Sequence, residues 1–182
     1  MQQRSLLVAK QCPRIARTAC DVFLNHRKID TARTIVGLLY ENLKMMRVRA
    51  FLDTMNMKPG DRLLDHIDKA IGECKVGVAV FSPAYCDSFF CLHELALLVE
   101  SKKRVVPVFY DIKPSQLRVK PTRRFTLQEL RRFSLALEEA KCIRGISFDS
   151  LNGDWSKLVR NASDAVLMNL FEVERESASM SV

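Results

Sequence analysis

The feature that most constrains the fold of this sequence is an alternation of strand-like and helix-like segments through the first two-thirds of its 182 residues. Short apolar runs, of which Val76 to Phe81 is the clearest, are separated by stretches whose apolar residues recur with helical spacing. Alternation of this kind predicts a doubly wound parallel sheet with helices on its faces. The chain is long enough to bury one sizeable core, so we expect a single main domain.

The same patterns predict the individual elements. Strands are expected over residues 20–24, 48–52, 76–81, 105–110 and 143–148. Four segments have apolar residues on one helical face. These residues are Ile35, Leu38, Leu39 and Leu43; Leu63, Leu64, Ile67, Ala70 and Ile71; Leu92, Leu95, Ala96 and Val99; and Trp155, Leu158, Val159, Ala162, Val166 and Leu170. Residues 116–141 show only a weak helical pattern, in Leu127, Leu130, Leu135 and Leu137, and the polar tail from Glu172 is expected to fray.

The charge of the chain indicates an anionic partner. Its 29 Lys and Arg against 21 Asp and Glu give a formal net charge of +8, which suits a nucleotide, a nucleic acid or an anionic membrane surface. Charge alone does not choose among these. No apolar run approaches the roughly 20 residues that span a bilayer, so no membrane partner is expected.

The cysteine content favours a reducing compartment. The six cysteines lack the dense pattern of a disulfide-stapled domain, and several lie in core-like segments. Cys86, Cys91 and His93 are close in sequence, but no second ligand pair with metal spacing follows, so buried thiols are expected rather than a zinc site. The basic first residues mildly resemble an organellar transit peptide, although a short disordered arm fits them better. We therefore expect a cytoplasmic protein, with the nucleus as an alternative.

Parallel strands would gather the loops that follow them at one edge of the sheet, where ligands bind in such folds. These loops are residues 25–32, 53–61, 82–94 and 111–116. They contain neither a Walker loop nor a GxGxxG motif, which argues against P-loop and Rossmann nucleotide binding. A phospho-receiver domain would need an aspartate at the end of the third strand, where this chain has Phe81 and Ser82.

Two places on this edge could carry chemistry. Glu94 follows the third strand and has Phe90 and Cys91 one helical turn before it on the same face, so its carboxylate could be partly desolvated. The alternative is an ordinary solvated glutamate. The loop from residue 25 to 31 brings cationic and polar groups to a helix N-terminus, which suits a phosphate. Equally, Asp30 or Thr31 could only cap the helix while Arg27 is a surface charge.

Several separated motifs occur in the sequence in a fixed order. They are Asp21-Val22-Phe23-Leu24, Arg27, Asp30-Thr31, Pro59-Gly60-Asp61, Phe81-Ser82, Cys91-Leu92-His93-Glu94-Leu95 and Val106-Pro107-Val108-Phe109-Tyr110-Asp111. Together they resemble the plant TIR (Toll and interleukin receptor) domain family over residues 18–172. Residues 1–17 and 173–182 would then be flexible arms, and the chain looks like a TIR-only protein. The resemblance implies a flavodoxin-like sheet of five parallel strands with helices on both faces.

The resemblance also implies an activity. Many plant TIR domains cleave NAD at the nicotinamide glycosidic bond and release ADP-ribose or a cyclic variant, which act as immune signals. The chain is therefore expected to be an NAD nucleosidase or ADP-ribosyl cyclase-like hydrolase, with NAD as substrate and no cofactor or metal. Glu94 matches the catalytic glutamate of that family.

Substrate contacts are implied in the same way. The positions that match the nucleotide-contacting loops of the family are Arg27, Lys28, Ile29, Asp30, Thr31, Ala32 and Gly60, and those that match its ribose and nicotinamide pocket are Ser88, Phe90 and Cys91. The sequence departs from the family where Lys28 and Ile29 replace a common glycine and acid. Ala32 also replaces an arginine, and Phe90 a frequent tryptophan.

Self-association through TIR surfaces is expected, because this family completes its pocket between neighbouring subunits. The alternative is a non-catalytic module that only binds other TIR domains, which the departures at Lys28, Ala32 and Phe90 favour. A third hypothesis is nucleic-acid binding by the basic residues between Arg118 and Arg132, for which the simpler interpretation is a solvated surface.

Overall fold

The computed structural model of the chain describes residues 20–31, 34–52, 56 and 62–180. The strands in these ranges are β1 (Val22–His26), β2 (Ala50–Phe51), β3 (Val76–Phe81), β4 (Arg104–Tyr110) and β5 (Ile146–Phe148). The helices are α1 (Lys28–Thr31), α2 (Ile35–Met45), α3 (Leu63–Glu73), α4 (Phe89–Glu100), α5 (Leu127–Cys142) and α6 (Trp155–Ser179). Short 3₁₀ turns occupy Tyr85–Asp87 and Pro114–Gln116.

The five strands form one parallel sheet in the order β2-β1-β3-β4-β5. In the register of the central strands, Val22 pairs with Val76 and Val76 with Arg104. The strand order reverses at β1, so the carboxyl ends of β1 and β3 flank the point where ligands bind in doubly wound folds. The predicted flavodoxin-like fold is confirmed.

Alternate side chains of the strands pack on opposite faces, which explains why β3 is buried along its whole length. On one face Phe23, Phe81 and Phe109 pack with α3, α4 and α5. On the other face Leu24 and Val80, with their neighbours, pack with α2 and α6. Helices therefore cover both faces of the sheet.

The predicted helical faces need three corrections. Leu38 is 50% exposed, because α2 faces the sheet with Ile35, Leu39 and Leu43 instead. Leu63 and Leu64 are also exposed, at the start of α3.

In the weakly patterned region, Leu127 is 82% exposed and Leu135 is exposed as well. The residues that face the core from α5 are Phe133, Ala136, Leu137 and Ala140. Their spacing places the two leucines on the opposite side of the helix.

Helix α6 continues to Ser179, through most of the segment predicted to be a flexible tail. Ion pairs explain the continuation: Arg104 at the start of β4 bonds both Glu172 and Glu176 at 2.5 Å, and Lys75 bonds Glu174 at 2.9 Å. The predicted arm at residues 1–17 and the turn at 59–61 lie outside the described residues. No helix in the part of the chain that is described is both long and apolar enough to cross a membrane.

Candidate active site

The candidate site lies at the carboxyl edge of the sheet, where the end of β1 meets the start of α4. The turn after β3 leads directly into α4, whose N-cap is Ser88: its hydroxyl accepts a hydrogen bond from the backbone N–H of Cys91 at 3.3 Å. Glu94 follows in the second turn of the helix and is half-buried. The fold thus places this carboxylate on the edge that the sequence predicted.

A buried amide holds the carboxylate of Glu94. Asn25, near the end of β1, is fully buried. Its Nδ2 donates to Oε2 of Glu94 at 2.7 Å and to the carbonyl oxygen of Cys91 at 3.1 Å. The hydroxyl of Tyr85 hydrogen-bonds to Oδ1 of Asn25 and lies 3.1 Å from the same carbonyl. Desolvation by burial raises the pKa of Tyr85 well above its ordinary value, so this hydroxyl remains a donor.

The loop after β1 is tied to the loop after β3. Oδ2 of Asp30 accepts hydrogen bonds from the hydroxyl of Ser82 at 2.6 Å and from the backbone N–H of Ala84 at 3.2 Å. The hydroxyl of Thr31 donates to the carbonyl oxygen of Arg27 at 3.1 Å. Asp30 therefore joins two loops of the site edge rather than only capping a helix.

Arg27 is not a fully solvated surface charge. Its Nε is buried and has no hydrogen-bond partner among the described residues. Buried donors are nearly always paired in folded proteins, so an unpaired donor at the edge where ligands bind indicates that a ligand atom accepts its hydrogen bond. A phosphate oxygen is an acceptor that arginine binds strongly.

The other predicted contacts of the first loop differ in accessibility. Lys28 is exposed, and Ile29 is 81% exposed. Ala32 and Gly60 lie outside the described residues. Neither of the two described side chains is engaged in the core, so both can face a ligand or solvent.

Three predicted pocket residues belong to the beginning of α4. Phe90 is 43% exposed and meets Phe89 edge to face, with ring centroids 5.8 Å apart. Ser88 is buried as the N-cap. Cys91 is also buried, and its Sγ donates to the carbonyl oxygen of His26 at 3.3 Å. Desolvation by burial raises the pKa of the Cys91 thiol to about 12, so it stays neutral.

The candidate zinc ligands do not converge. The Cys91 thiol points to a backbone carbonyl, whereas the ring of His93 lies 3.4 Å from Asp68 and 3.1 Å from Arg132. Over the described ranges, there is no group of three His, Cys, Asp or Glu side chains that could hold a metal ion.

The cavities formed by the described residues include two that lie at or near the same edge but apart from Glu94. The larger, of about 820 Å³, opens over the ends of β4 and β5, between Phe109 and Leu151. The smaller, of about 290 Å³, lies beside the basic residues Lys120 and Arg124. Neither is lined by a residue of the Asn25–Glu94 hydrogen-bond network, so the site rests on that network rather than on cavity size.

Asn25 and Tyr85 are the residues of this site that sequence reasoning missed. A signal for Asn25 was present: it is the polar residue that directly follows the apolar run Val22-Phe23-Leu24, and a residue at the carboxyl end of a parallel strand faces the ligand edge. Tyr85 carries no comparable signal, since only the folded chain brings its hydroxyl to Asn25.

Comparison with known proteins adds independent information. The TIR domain family model matches residues 19–176. The chain is 51% identical over 158 residues to "Probable 2' cyclic ADP-D-ribose synthase BdTIR" of Brachypodium distachyon, a match that covers 85% of this chain and 70% of that protein. It is 30% identical over 174 residues to "TMV resistance protein N" of Nicotiana glutinosa, covering 87% of this chain but 15% of that protein.

Solved structures agree with these relatives. The TIR domains of the activated Roq1 resistosome, which recognises the pathogen effector XopQ, superpose with a TM-score of 0.70 at 32% identity, covering 81% of this chain and 99% of that one. The TIR domain of the Toll-related receptor TRR-2 from Hydra magnipapillata gives a TM-score of 0.50 at 16% identity, covering 79% of this chain and 98% of that one. This second similarity concerns the fold alone.

Proposed function

The chain belongs to the TIR domain family, and from this premise we propose that it is an enzyme that cleaves the nicotinamide glycosidic bond of NAD in plant immune signalling. Its products are ADP-ribose or a cyclic ADP-ribose variant. The observation that carries the proposal is the carboxylate of Glu94, fixed at 2.7 Å by a buried amide on the ligand edge of the sheet. The 51% identity to a probable 2' cyclic ADP-D-ribose synthase supports it.

One carboxylate can suffice for this reaction. The bond between ribose C1′ and the nicotinamide nitrogen breaks, and its electron pair stays with the nitrogen. The positively charged ring thereby leaves as neutral nicotinamide, so the acid that ordinary glycosidases use to protonate the leaving group is not needed. Glu94 holds the ribose hydroxyls and faces the positive charge that develops on the sugar. Water, or a hydroxyl of the same molecule, then bonds to C1′ and releases a proton.

The rest of the edge supplies groups for the remaining parts of NAD. The buried Nε of Arg27 is a donor for a phosphate oxygen. The half-exposed ring of Phe90 is a stacking surface for nicotinamide or adenine. Lys28, which follows Arg27 in the chain, adds an exposed positive charge. Because the family completes its pocket between subunits, the active form is a self-associated assembly, which other TIR domains could join.

Glu94→Gln tests the proposal directly. The amide keeps the size of the side chain and removes its negative charge, so nicotinamide release should fall at least about a hundredfold. The measurement is chromatography of nicotinamide and mass spectrometry of the ribosyl product after incubation of the purified protein with NAD. Glu100→Gln, at the exposed end of the same helix, should retain wild-type turnover. Unchanged turnover in Glu94→Gln would refute the proposal.

The second candidate function is a non-catalytic module that binds other TIR domains. The departures from the family at Lys28, Ala32 and Phe90 favour it, because they change the groups that would bind the phosphates and stack on a ring. This function requires that the wild-type protein self-associates but releases no nicotinamide at any protein concentration. Analytical ultracentrifugation beside the NAD assay separates the two functions.

The basic cluster and the thiols bear on partners and location. Arg118, Lys120, Arg123 and Arg124 are all exposed, so this loop could bind nucleic acid in addition. Such binding must weaken steeply with added salt, which fluorescence anisotropy measures. All five described cysteines are free thiols, which supports a cytoplasmic location.

A further inference from the structure

Three elements bring polar groups together behind Glu94. Asn25 comes from the end of β1, Tyr85 from the 3₁₀ turn after β3, and Cys91 from the first turn of α4. Asn25 and Tyr85 are both fully buried. The ring of Tyr85 is held edge to face by Phe81, with centroids 4.7 Å apart. The hydroxyl therefore has a fixed position under the site.

The orientation of the Asn25 amide follows from its neighbours. The Nδ2 side faces two acceptors, Oε2 of Glu94 at 2.7 Å and the carbonyl oxygen of Cys91 at 3.1 Å, so both of its protons are used. The Oδ1 side faces the Tyr85 hydroxyl, which burial keeps protonated. A reversed amide would set an oxygen against both the carboxylate of Glu94 and the carbonyl oxygen of Cys91. These two acceptors fix the orientation of the amide, and the Tyr85 hydroxyl binds its Oδ1.

We infer that Asn25 and Tyr85 are positioning residues, which hold the Glu94 carboxylate ionised and oriented for its reaction. The Tyr85 hydroxyl donates to the Asn25 amide, and this amide donates to Oε2 of Glu94. The inference rests on the proposed NAD cleavage, since it names what aims the carboxylate of that same site. Both residues are fully buried, so they act through Glu94. Their effect is on the charge and direction of Glu94, because a hydrogen bond to the ionised form of a carboxyl favours that form.

Among the described residues, several charged and titratable groups near the site have partners of their own. The buried thiol of Cys91 stays neutral, and Arg27 and Asp30 act on it electrostatically from the loop after β1. Asp30 is itself bonded to Ser82 and Ala84. Asn25 is a donor to Glu94 that comes from another element of the fold.

Tyr85→Phe is the first test, because it removes one hydroxyl and leaves the ring packing intact. We expect kcat for nicotinamide release to fall about tenfold while KM for NAD changes little, the loss expected for one hydrogen bond in a charged network. The acid limb of the pH–rate profile should move to higher pH. Tyr40→Phe, on α2, is the matched control and should behave as wild type.

Asn25→Asp is the second test. It places a second carboxyl at hydrogen-bond distance from Glu94, and two such groups cannot both ionise easily. Activity should therefore fall much more at pH 8 than at pH 6, where a shared proton restores the hydrogen bond. Asn25→Ala should lose activity at both pH values. A role confined to folding would lower the thermal midpoint without this difference in pH dependence.

A readout without NAD separates this inference from the proposed function. The carboxyl carbon of Glu94, assigned in ¹³C NMR spectra by its absence in Glu94→Gln, should titrate at higher pH in Tyr85→Phe than in the wild type. If the wild type releases no nicotinamide, the proposed function fails, and this titration still tests the positioning. A folded Tyr85→Phe variant with an unchanged titration of the Glu94 carboxyl would overturn the inference. If Tyr85→Phe does not fold, Asn25→Asp takes its place, and a wild-type titration of Glu94 in that variant would overturn the inference.

Discussion

At the scale of single residues, Gly145, which directly precedes β5, has no room for a side chain. A Cβ at this position would lie 2.5 Å from Cε2 of Phe109 and 2.7 Å from the carbonyl oxygen of Pro107, which is backbone and cannot turn away. We expect Gly145→Ala to lower the free energy of unfolding by about 2 kcal/mol, a typical cost of overpacking. Urea unfolding followed by circular dichroism measures the change.

Gly72 is the matched control for this substitution. It lies in α3, and a Cβ there would meet nothing within 4 Å. Gly72→Ala should leave stability unchanged or raise it by up to about 1 kcal/mol, because alanine is the better helix former. Equal destabilisation of both variants would contradict the packing argument.

The site could be predicted residue by residue only in part. Glu94 was placed on the correct edge because the position after a buried strand determines it. Whether its carboxylate is solvated depends on Asn25, which is 69 residues away in sequence. The burial of Arg27 Nε was likewise not predictable from the neighbouring sequence, because it depends on the fold. Contacts of this kind are set by packing, which periodicity does not report.

At the scale of elements, the end of α6 depends on Arg104. This residue bonds Glu172 and Glu176 from the edge of the sheet opposite Glu94. In Arg104→Met, the amides of residues 173–179 should exchange hydrogen faster, because the last turns lose their anchor. Global stability should change by less than about 1 kcal/mol, since these pairs are partly exposed. Hydrogen exchange with mass spectrometry gives the local effect.

Arg160→Met is the control for that experiment. Arg160 is an exposed residue on the same helix. Its replacement should leave exchange in the last turns as in the wild type. Equal protection of residues 173–179 in both variants would show that the ion pairs do not hold the end of the helix.

Element boundaries followed the sequence only in part. The strands predicted over residues 20–24, 48–52 and 143–148 lie at Val22–His26, Ala50–Phe51 and Ile146–Phe148. The bounds of β3 were predicted correctly because the whole strand is apolar. For α5 the useful signal was a capping box and not the leucines: the Thr126 hydroxyl accepts from the N–H of Glu129 at 3.2 Å, and Glu129 Oε2 accepts from the N–H of Thr126 at 2.7 Å. The continuation of α6 beyond Glu172 had no local signal, because its partners Lys75 and Arg104 are distant in sequence.

At the scale of the whole molecule, the fold was predictable because one rule acts through the first two-thirds of the chain. Each strand signal is followed by a helix signal, and a parallel sheet is the arrangement that joins such units with short connections. The strand order needed the family resemblance, since periodicity cannot distinguish 2-1-3-4-5 from other doubly wound orders.

The stability of the whole molecule should fall in acid. The Arg49 guanidinium, which donates to Asp21 at 2.7 and 2.8 Å, holds the pKa of this carboxyl below its ordinary value of 3.8. Hydrogen bonds from Arg132 likewise hold the pKa of Glu100 below 4.5. A carboxyl whose pKa is lower in the folded state contributes stability that is present above its unfolded pKa and is lost as pH falls through the folded value. The urea midpoint should therefore be constant from about pH 7 to pH 5 and decrease below about pH 5.

Asp21→Asn distinguishes this linkage from general acid unfolding. The amide cannot ionise, so the variant should be less stable than the wild type at pH 7 and should lose less stability between pH 5 and pH 3. Asp164→Asn, an exposed position on α6, should follow the wild-type pH dependence. If the curves of the wild type and Asp21→Asn run parallel over this range, the Asp21–Arg49 pair does not contribute to acid unfolding. A smaller slope in Asp21→Asn would show that the Asp21–Arg49 pair contributes to the loss of stability in acid.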